Sequence, residues 1–353
     1  MCEFVAVIYL AGKGRTMGIK VGVVGAGYWG PNIIRNLTQI PTCEMAICCD
    51  TDEKRLAHMA RLYTNLKTTT NYEDLTSDPS IDAVAVCTHV SAHFPLAKKA
   101  LQAGKHVLIE KPMTGRVDEA EELVALARQN GRVLMVDHTF EYTAGVNKMK
   151  EIIESGILGD VLYVHCTRLN LGIFQRDINV VWDLAPHDLS VILYATGLKP
   201  NSVRTVGRKL LHPKVEDMAI VMLNCADNAS AVIHVSWVDP RKVRTVGVVG
   251  TKQMLVYDDL DPLAKIQIYD KGVDNPPHYD TFGEFLCSYH YGDIHMPRLQ
   301  EAEPLSAMCR HFLECIETGA TPRSSGESGL NMVRLLEASD RSIAAGGAEI
   351  MLE

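Results

Sequence analysis

The chain is predicted to be an α/β protein, with an N-terminal doubly wound parallel sheet and a C-terminal α+β domain built on a large open mixed or antiparallel sheet. Three observations predict it. A buried strand runs straight into a glycine-rich turn at IKVGVVGAG. Short apolar runs then alternate with helical periods as far as about Glu141. Beyond that point strands follow one another with few helices between them, the pattern of an antiparallel or mixed sheet open on one face.

The alternation assigns the elements in order. IKVGVVGAG is a strand and turn, and YWGPNIIRNLTQI the helix after it. EMAICCD, IDAVAVCT, HVLIEKP and RVLMVDH read as further strands. DEKRLAHMARLY, SAHFPLAKKALQAG and VDEAEELVALARQNG read as the helices that cross between them. Parallel neighbours need such crossovers, so the helices cover both faces of the sheet. YTAGVNKMKEIIESGIL is a connecting helix ending at a glycine, and VVWDLAPHDLS opens another. The segments VLYVHCTRLNL, SVRTVGRKLL, DMAIVMLNC, SAVIHVSWVD, KVRTVGVVG, KQMLVYDD and AKIQIYDK are the strands of the second sheet. Segment 272–300 is expected to be a loop, and Leu305–Gly319 and Gly329–Ala345 the closing helices. Residues 1–18 are expected to be an extension, 19–141 the dinucleotide domain, and 142–353 the substrate and oligomerisation domain.

Composition narrows the class. Hydrophobic residues make up 47% and charged residues 22% of 353 positions, ordinary for a globular enzyme. The formal net charge of −8 argues against a phosphate-gripping nucleic-acid partner. The ten cysteines form no C-x-x-C pair and no zinc-finger spacing, so a reduced cytoplasmic protein without metal or disulfides is expected. No apolar run is long enough to span a bilayer, and no membrane partner is expected.

Gly25-Ala26-Gly27-Tyr28-Trp29-Gly30 is a G-x-G-x-x-G sequence between a strand and a helix. In that setting the first glycine permits the tight turn, the second admits a pyrophosphate, and the third lets helix and strand pack closely. This is the signature of a Rossmann dinucleotide site. The second strand ends at Asp50, an acid able to accept ribose hydroxyls and to repel a 2′-phosphate, which favours NAD over NADP. Thr88 and His93 follow the third of these strands, near the expected nicotinamide position, although His93 also suits a structural role.

Two further motifs carry chemistry. Glu110-Lys111-Pro112 lies at the carboxyl end of a parallel strand, where doubly wound sheets bind ligands. Pro112 is a candidate for a cis bond that directs Lys111. Asp183 and His187 stand four residues apart and share one helix face. Asp183 is also a candidate helix cap, and Pro186 is tolerated if it falls in the first turn.

Together these features resemble the Gfo/Idh/MocA family of nicotinamide-dependent sugar and polyol oxidoreductases, over nearly all of the chain from Ile19. The resemblance implies that Lys111, Asp183 and His187 are the catalytic set. His187 would accept the hydroxyl proton, Asp183 would orient its imidazole, and Lys111 would hold the alcohol oxygen. WDLAPHDLS, SAVIHVSWVDPRKVRTVGVVGT and GDIHMPRLQEAEPLSAMCRHFLECIETG resemble the branch acting on nucleotide-linked amino sugars, which implies oxidation at C3 of a UDP-N-acetyl amino sugar. Arg168, Arg176, Arg241, Lys242 and Arg298 are then candidates for a diphosphate, and Asn170 and Tyr142 for sugar hydroxyls. A deoxysugar-nucleotide ketoreductase, an inositol or glucose-type dehydrogenase, and a non-catalytic NAD sensor on the same scaffold are the alternatives. The open sheet is expected to pair subunits into a homodimer or homotetramer.

Overall fold

A computed structural model describes residues 18–172, 174, 178–274 and 288–352. The expectation for residues 1–18 therefore lies outside the described residues, apart from Gly18.

Six strands form the first sheet: β1 (Ile19–Val24), β2 (Cys43–Cys49), β3 (Lys67–Thr69), β4 (Ala83–Val86), β5 (His106–Glu110) and β6 (Leu134–Asp137). Their spatial order is β3-β2-β1-β4-β5-β6, and every neighbouring pair is parallel. The order reverses between β1 and β4, which opens a crevice at their carboxyl ends. Helices α1 (Gly30–Thr38), α2 (Glu53–Leu62), α3 (Glu73–Thr76), α4 (Val90–Gln102) and α5 (Val117–Gln129) make the crossovers. β4 is buried at all four positions, as a strand covered on both faces must be.

A single turn of 3₁₀ helix, Thr139–Tyr142, and helix α6 (Ala144–Glu154) lead into the second layer. There β7 (Val161–Leu171) precedes helix α7 (Val180–Thr196). The strands β8 (Pro200–Arg208), β9 (Met218–Cys225), β10 (Ser230–Ser236), β11 (Val238–Gly250), β12 (Met254–Asp258), β13 (Ile266–Asp274), β14 (Ser288–His295) and β15 (Ile350–Met351) complete the sheet. Its order is β14-β13-β12-β11-β7-β10-β9-β8-β15, antiparallel except where β10 runs parallel to β7. On β9, buried Ala219, Val221 and Leu223 alternate with exposed Ile220, Met222 and Asn224, so one face meets the helices and the other is bare.

Segment 272–300 departs from the expected loop. β14 within it pairs antiparallel with β13, while residues 275–287 lie outside the described residues. Helices α8 (Pro304–Thr318) and α9 (Gly326–Ala344) return to the first layer. Leu305, Met308 and Phe312 of α8 share a core with Ile19, Val21 and Ile33. Val136 of β6 donates its amide to the Ser324 carbonyl at 2.8 Å, just ahead of α9. Helix α9 begins three residues before the expected Gly329 because the Ser325 hydroxyl caps it, accepting the Ser328 amide.

Candidate active site

The glycine loop has the shape a dinucleotide requires. Gly25 sits at φ +98°, and a Cβ there would lie 2.3 Å from the Cys87 carbonyl oxygen. At Gly30 a Cβ would lie 1.9 Å from the Gly25 carbonyl oxygen, so α1 packs closely only without a side chain. The Gly27 side stays open, with Arg55 Nη1 at 3.5 Å from a Cβ built there. Tyr28 is exposed, and the Trp29 indole donates to Asp137 Oδ2 at 2.8 Å. Asp50 is buried and accepts the Ala26 amide at 2.6 Å and the Asp52 amide at 2.8 Å. Its carboxylate thus braces the loop, with Arg55 Nη1 3.7 Å away on the open side. These residues fit an NAD-type cofactor. Gly25, Gly27 and Gly30 would shape its bed, and Asp50 and Arg55 would be the side chains nearest its ribose.

Thr88 is half-buried where β4 ends. His93 is 1% exposed, and its two ring nitrogens lie 2.9 Å from the Pro112 carbonyl oxygen and 3.1 Å from that of Thr88. Both nitrogens face protein carbonyls, to one of which the neutral ring donates, so His93 is corrected from a cofactor contact to a brace. Burial holds its pKa below the ordinary value.

The EKP segment meets α7. The Lys111–Pro112 peptide is cis. Lys111 Nζ donates to the Asp183 carbonyl oxygen at 2.8 Å and lies 3.4 Å from Asp183 Oδ1. Asp183 Oδ2 accepts the Trp237 indole N–H at 3.0 Å. Among the described residues no hydrogen bond or ion pair joins Asp183 to His187. The expectation that Asp183 orients the imidazole is therefore corrected: its carboxylate serves Lys111 and Trp237. Nor does Asp183 cap the helix. Asn179 does, accepting the amides of Val181 at 3.0 Å and Trp182 at 3.2 Å. With the helix starting at Val180, Pro186 falls in the second turn, where it lacks the N–H that the Trp182 carbonyl would otherwise receive.

His187 is half-buried and packs against Phe140, with ring centroids 5.1 Å apart. The Arg168 guanidinium covers Phe140 at 4.5 Å. Arg168 in turn holds Asp188 through Nε at 2.8 Å and Nη2 at 2.9 Å, and both residues are buried. Burial, then the nearby charges of Lys111, Arg168 and Arg244, hold the His187 pKa well below its ordinary value. The imidazole is thus neutral and able to accept a proton. Glu110, paired across the ladder with Asp137, has its carboxyl pushed well up by burial and by that second acid. His138, next along from Asp137, is 2% exposed, and its pKa is lowered to about 4 by burial and Lys111.

The expected substrate residues divide. Arg168 is locked to Asp188 in the interior and is corrected from a phosphate contact to a structural one. Tyr142 is likewise corrected: it is buried, its hydroxyl lies 3.3 Å from Ser324 Oγ, and Arg323 covers its ring at 4.6 Å. Asn170 is half-buried on β7, two residues beyond Arg168 and so on the same face. Arg241, Lys242 and Arg298 are exposed, and Arg176 lies outside the described residues. Sequence reasoning missed Trp237, Phe140, Asp188, Arg244 and His138. Trp237 carried a signal, because it continues the inward alternation of Ile233 and Val235 beyond β10.

A dinucleotide bed facing a lysine, a carboxylate and a neutral imidazole defines a nicotinamide-dependent oxidoreductase. Comparison with known proteins gives the family. Residues 19–138 match the Gfo/Idh/MocA profile described as "Oxidoreductase family, NAD-binding Rossmann fold". Residues 146–256 match the Gfo/Idh/MocA C-terminal domain. The chain belongs to the Gfo/Idh/MocA oxidoreductase family.

An uncharacterized oxidoreductase, YrbE of Bacillus subtilis (strain 168), is 27% identical over 94% of this chain and 96% of its own length. UDP-N-acetylglucosamine 3-dehydrogenase of Acidithiobacillus ferrooxidans is 28% identical over 73% of this chain and 79% of its own. Myo-inositol 2-dehydrogenase of Thermotoga maritima is 24% identical over 92% of this chain and 96% of its own. In fold, the chain is similar to GenD2 from gentamicin A biosynthesis, solved in complex with NAD. The TM-score is 0.81 at 23% identity, covering 98% of this chain and 100% of that one. No helix among the described residues is long and apolar enough to cross a membrane.

Proposed function

We propose that the protein uses NAD to oxidise a secondary alcohol of a sugar to a ketone, with C3 of a UDP-N-acetyl amino sugar as the leading substrate. The observation that carries the chemistry is the Lys111–Asp183 contact at 2.8 Å, which sets an ammonium beside a neutral His187 at the strand ends. NAD, when bound, supplies the hydride acceptor. Lys111 holds the alcohol oxygen and stabilises negative charge developing there. Asp183, fixed by Trp237, keeps the lysine in place. His187 takes the hydroxyl proton, which its neutral ring is free to accept. Asp50 favours NAD over NADP, since a 2′-phosphate beside its carboxylate would be repelled.

Support for the nucleotide sugar comes from the Acidithiobacillus relative. A second reading, a free polyol such as an inositol, is favoured by one observation: Arg168 is locked to Asp188 and so is not free to hold a diphosphate. NAD reduction on UDP-N-acetylglucosamine, glucose and myo-inositol, measured in parallel, separates the two. Turnover with the free polyol alone would overturn the nucleotide-sugar assignment.

The bare face of the second sheet carries exposed Tyr163, Val206, Ile220 and Met222. Its proposed occupant is a second copy of this chain, giving a homodimer or a dimer of dimers. The proposed location is the cytoplasm, on the grounds of the unpaired cysteine pattern.

A further inference from the structure

His138 and His93 form a matched pair with opposite partners. His93 is 1% exposed, and each of its nitrogens meets a carbonyl oxygen. His138 is 2% exposed, and neither Nδ1 nor Nε2 has a hydrogen-bond partner among the described residues. Buried polar groups are almost always satisfied, so an imidazole with both nitrogens bare is a group awaiting a partner.

Its position says where that partner comes from. Glu110 and Asp137 are paired in the β5–β6 ladder, so Lys111 and His138 are the next residue on each strand. Asp137 faces the glycine loop, where it receives the Trp29 indole. Lys111 turns the other way, to Asp183 on α7. The Lys111 charge disfavours protonation of both His138 and His187. The bare imidazole therefore stands on the substrate side of the strand ends.

We propose that His138 is a further substrate-contact residue, whose ring bonds the hydroxyl beside the one being oxidised; this rests on the oxidoreductase reading above. A neutral imidazole offers one N–H donor and one acceptor, and a polyol hydroxyl matches either. No proton is transferred in this contact. Its part is to fix which carbon of the ring faces the hydride acceptor, and so to set regiospecificity.

The test compares wild type with His138→Phe, His138→Asn and His138→Gln, the amides restoring the Nδ1 or the Nε2 position. Thermal unfolding is measured for the free protein and with NADH, alongside turnover of UDP-N-acetylglucosamine, glucose and myo-inositol. The phenyl variant is expected to unfold at the wild-type temperature or higher, because it removes two unpaired polar atoms. NADH should stabilise it as it does the wild type. Its kcat/KM should fall by roughly tenfold or more, and one of the two amide variants should recover most of the loss. Lower stability of the free protein in all three variants would mean a structural histidine and overturn the proposal. Unchanged turnover in the phenyl variant would overturn it too. A wild type inactive on every polyol would instead defeat the functional reading, and free-protein stability would still decide whether His138 is structural.

Discussion

Trp237 donates its indole N–H to Asp183 Oδ2 at 3.0 Å, while Asp183 receives Lys111 Nζ on its carbonyl oxygen at 2.8 Å. One residue of α7 thereby links the second sheet to the EKP loop of the first. The aspartate in this set holds the lysine, and the imidazole one turn on has no hydrogen-bond partner among the described residues.

Replacing Asp183 with Asn keeps the backbone carbonyl but removes the charge 3.4 Å from Lys111 Nζ, and should act through that lysine. We expect kcat to fall by roughly a hundredfold or more with NAD affinity nearly unchanged. Trp237→Phe, which removes the one donor, should give a smaller loss in the same direction. Steady-state kinetics beside cofactor titration checks both; equal loss of NAD binding would place Asp183 in the cofactor site instead.

The Arg168–Asp188 pair is buried, bidentate and stacked under Phe140. Asp188→Ala leaves an uncompensated guanidinium in the interior and should destabilise the fold by about 3–5 kcal/mol. Urea denaturation measures it. A change below about 1 kcal/mol would mean that the pair is solvated.

Stability should peak near neutral pH, with opposite causes on the two flanks. His138 and His106 have pKa values lowered to about 4, and His187 is also lowered. The unfolded chain binds their protons first, so stability falls as pH drops below about 6.5. Glu141 is buried with its pKa raised to about 8. The folded state holds that proton while the unfolded state releases it, so stability falls as pH rises from about 4.5 to about 8. Above pH 6.5 only the glutamate effect remains of these two. Glu141→Gln should flatten that upper flank by about 1.4 kcal/mol per pH unit, read from unfolding free energies between pH 6.5 and 8.

Gly25→Ala should abolish NAD binding and lower the melting temperature together, because the new methyl meets the Cys87 carbonyl at 2.3 Å. Asp50→Ala should weaken NAD by at least about tenfold and loosen the loop, since the Ala26 amide loses its acceptor. Calorimetric titration with NAD and NADP reads both; unchanged preference between them would refute the role of Asp50.

Ile220→Asp combined with Met222→Asp puts two charges on the bare sheet face. If a second copy covers that face, the wild type should be a dimer or tetramer by light scattering and the variant a smaller species. A wild-type monomer would remove the need for any partner there.

Much of this was legible in the sequence because it rests on local rules. The glycine triplet, the strand-end EKP and the i, i+4 spacing of Asp183 and His187 each follow from backbone geometry within a few residues. The partners of those residues were not legible. Which group Asp183 bonds depends on Trp237, which reaches it from between β10 and β11, and on Lys111 from the first layer. Arg168 looked like a phosphate ligand because a lone arginine in a strand does not reveal Asp188 on a neighbouring helix. β14 was hidden in a stretch rich in glycine, proline and histidine, where pairing with β13 overrides weak local preference. α8 completes the first core from the far end of the chain, a relation that periodicity cannot express.

The most direct test of the account is NADH formation by wild type and Lys111→Ala on mixing with NAD and each of UDP-N-acetylglucosamine, glucose and myo-inositol. Absorbance should rise with at least one alcohol in the wild type, and with none in Lys111→Ala although that variant still binds NAD. Undiminished turnover in Lys111→Ala, or none by the wild type with any of the three, would contradict it.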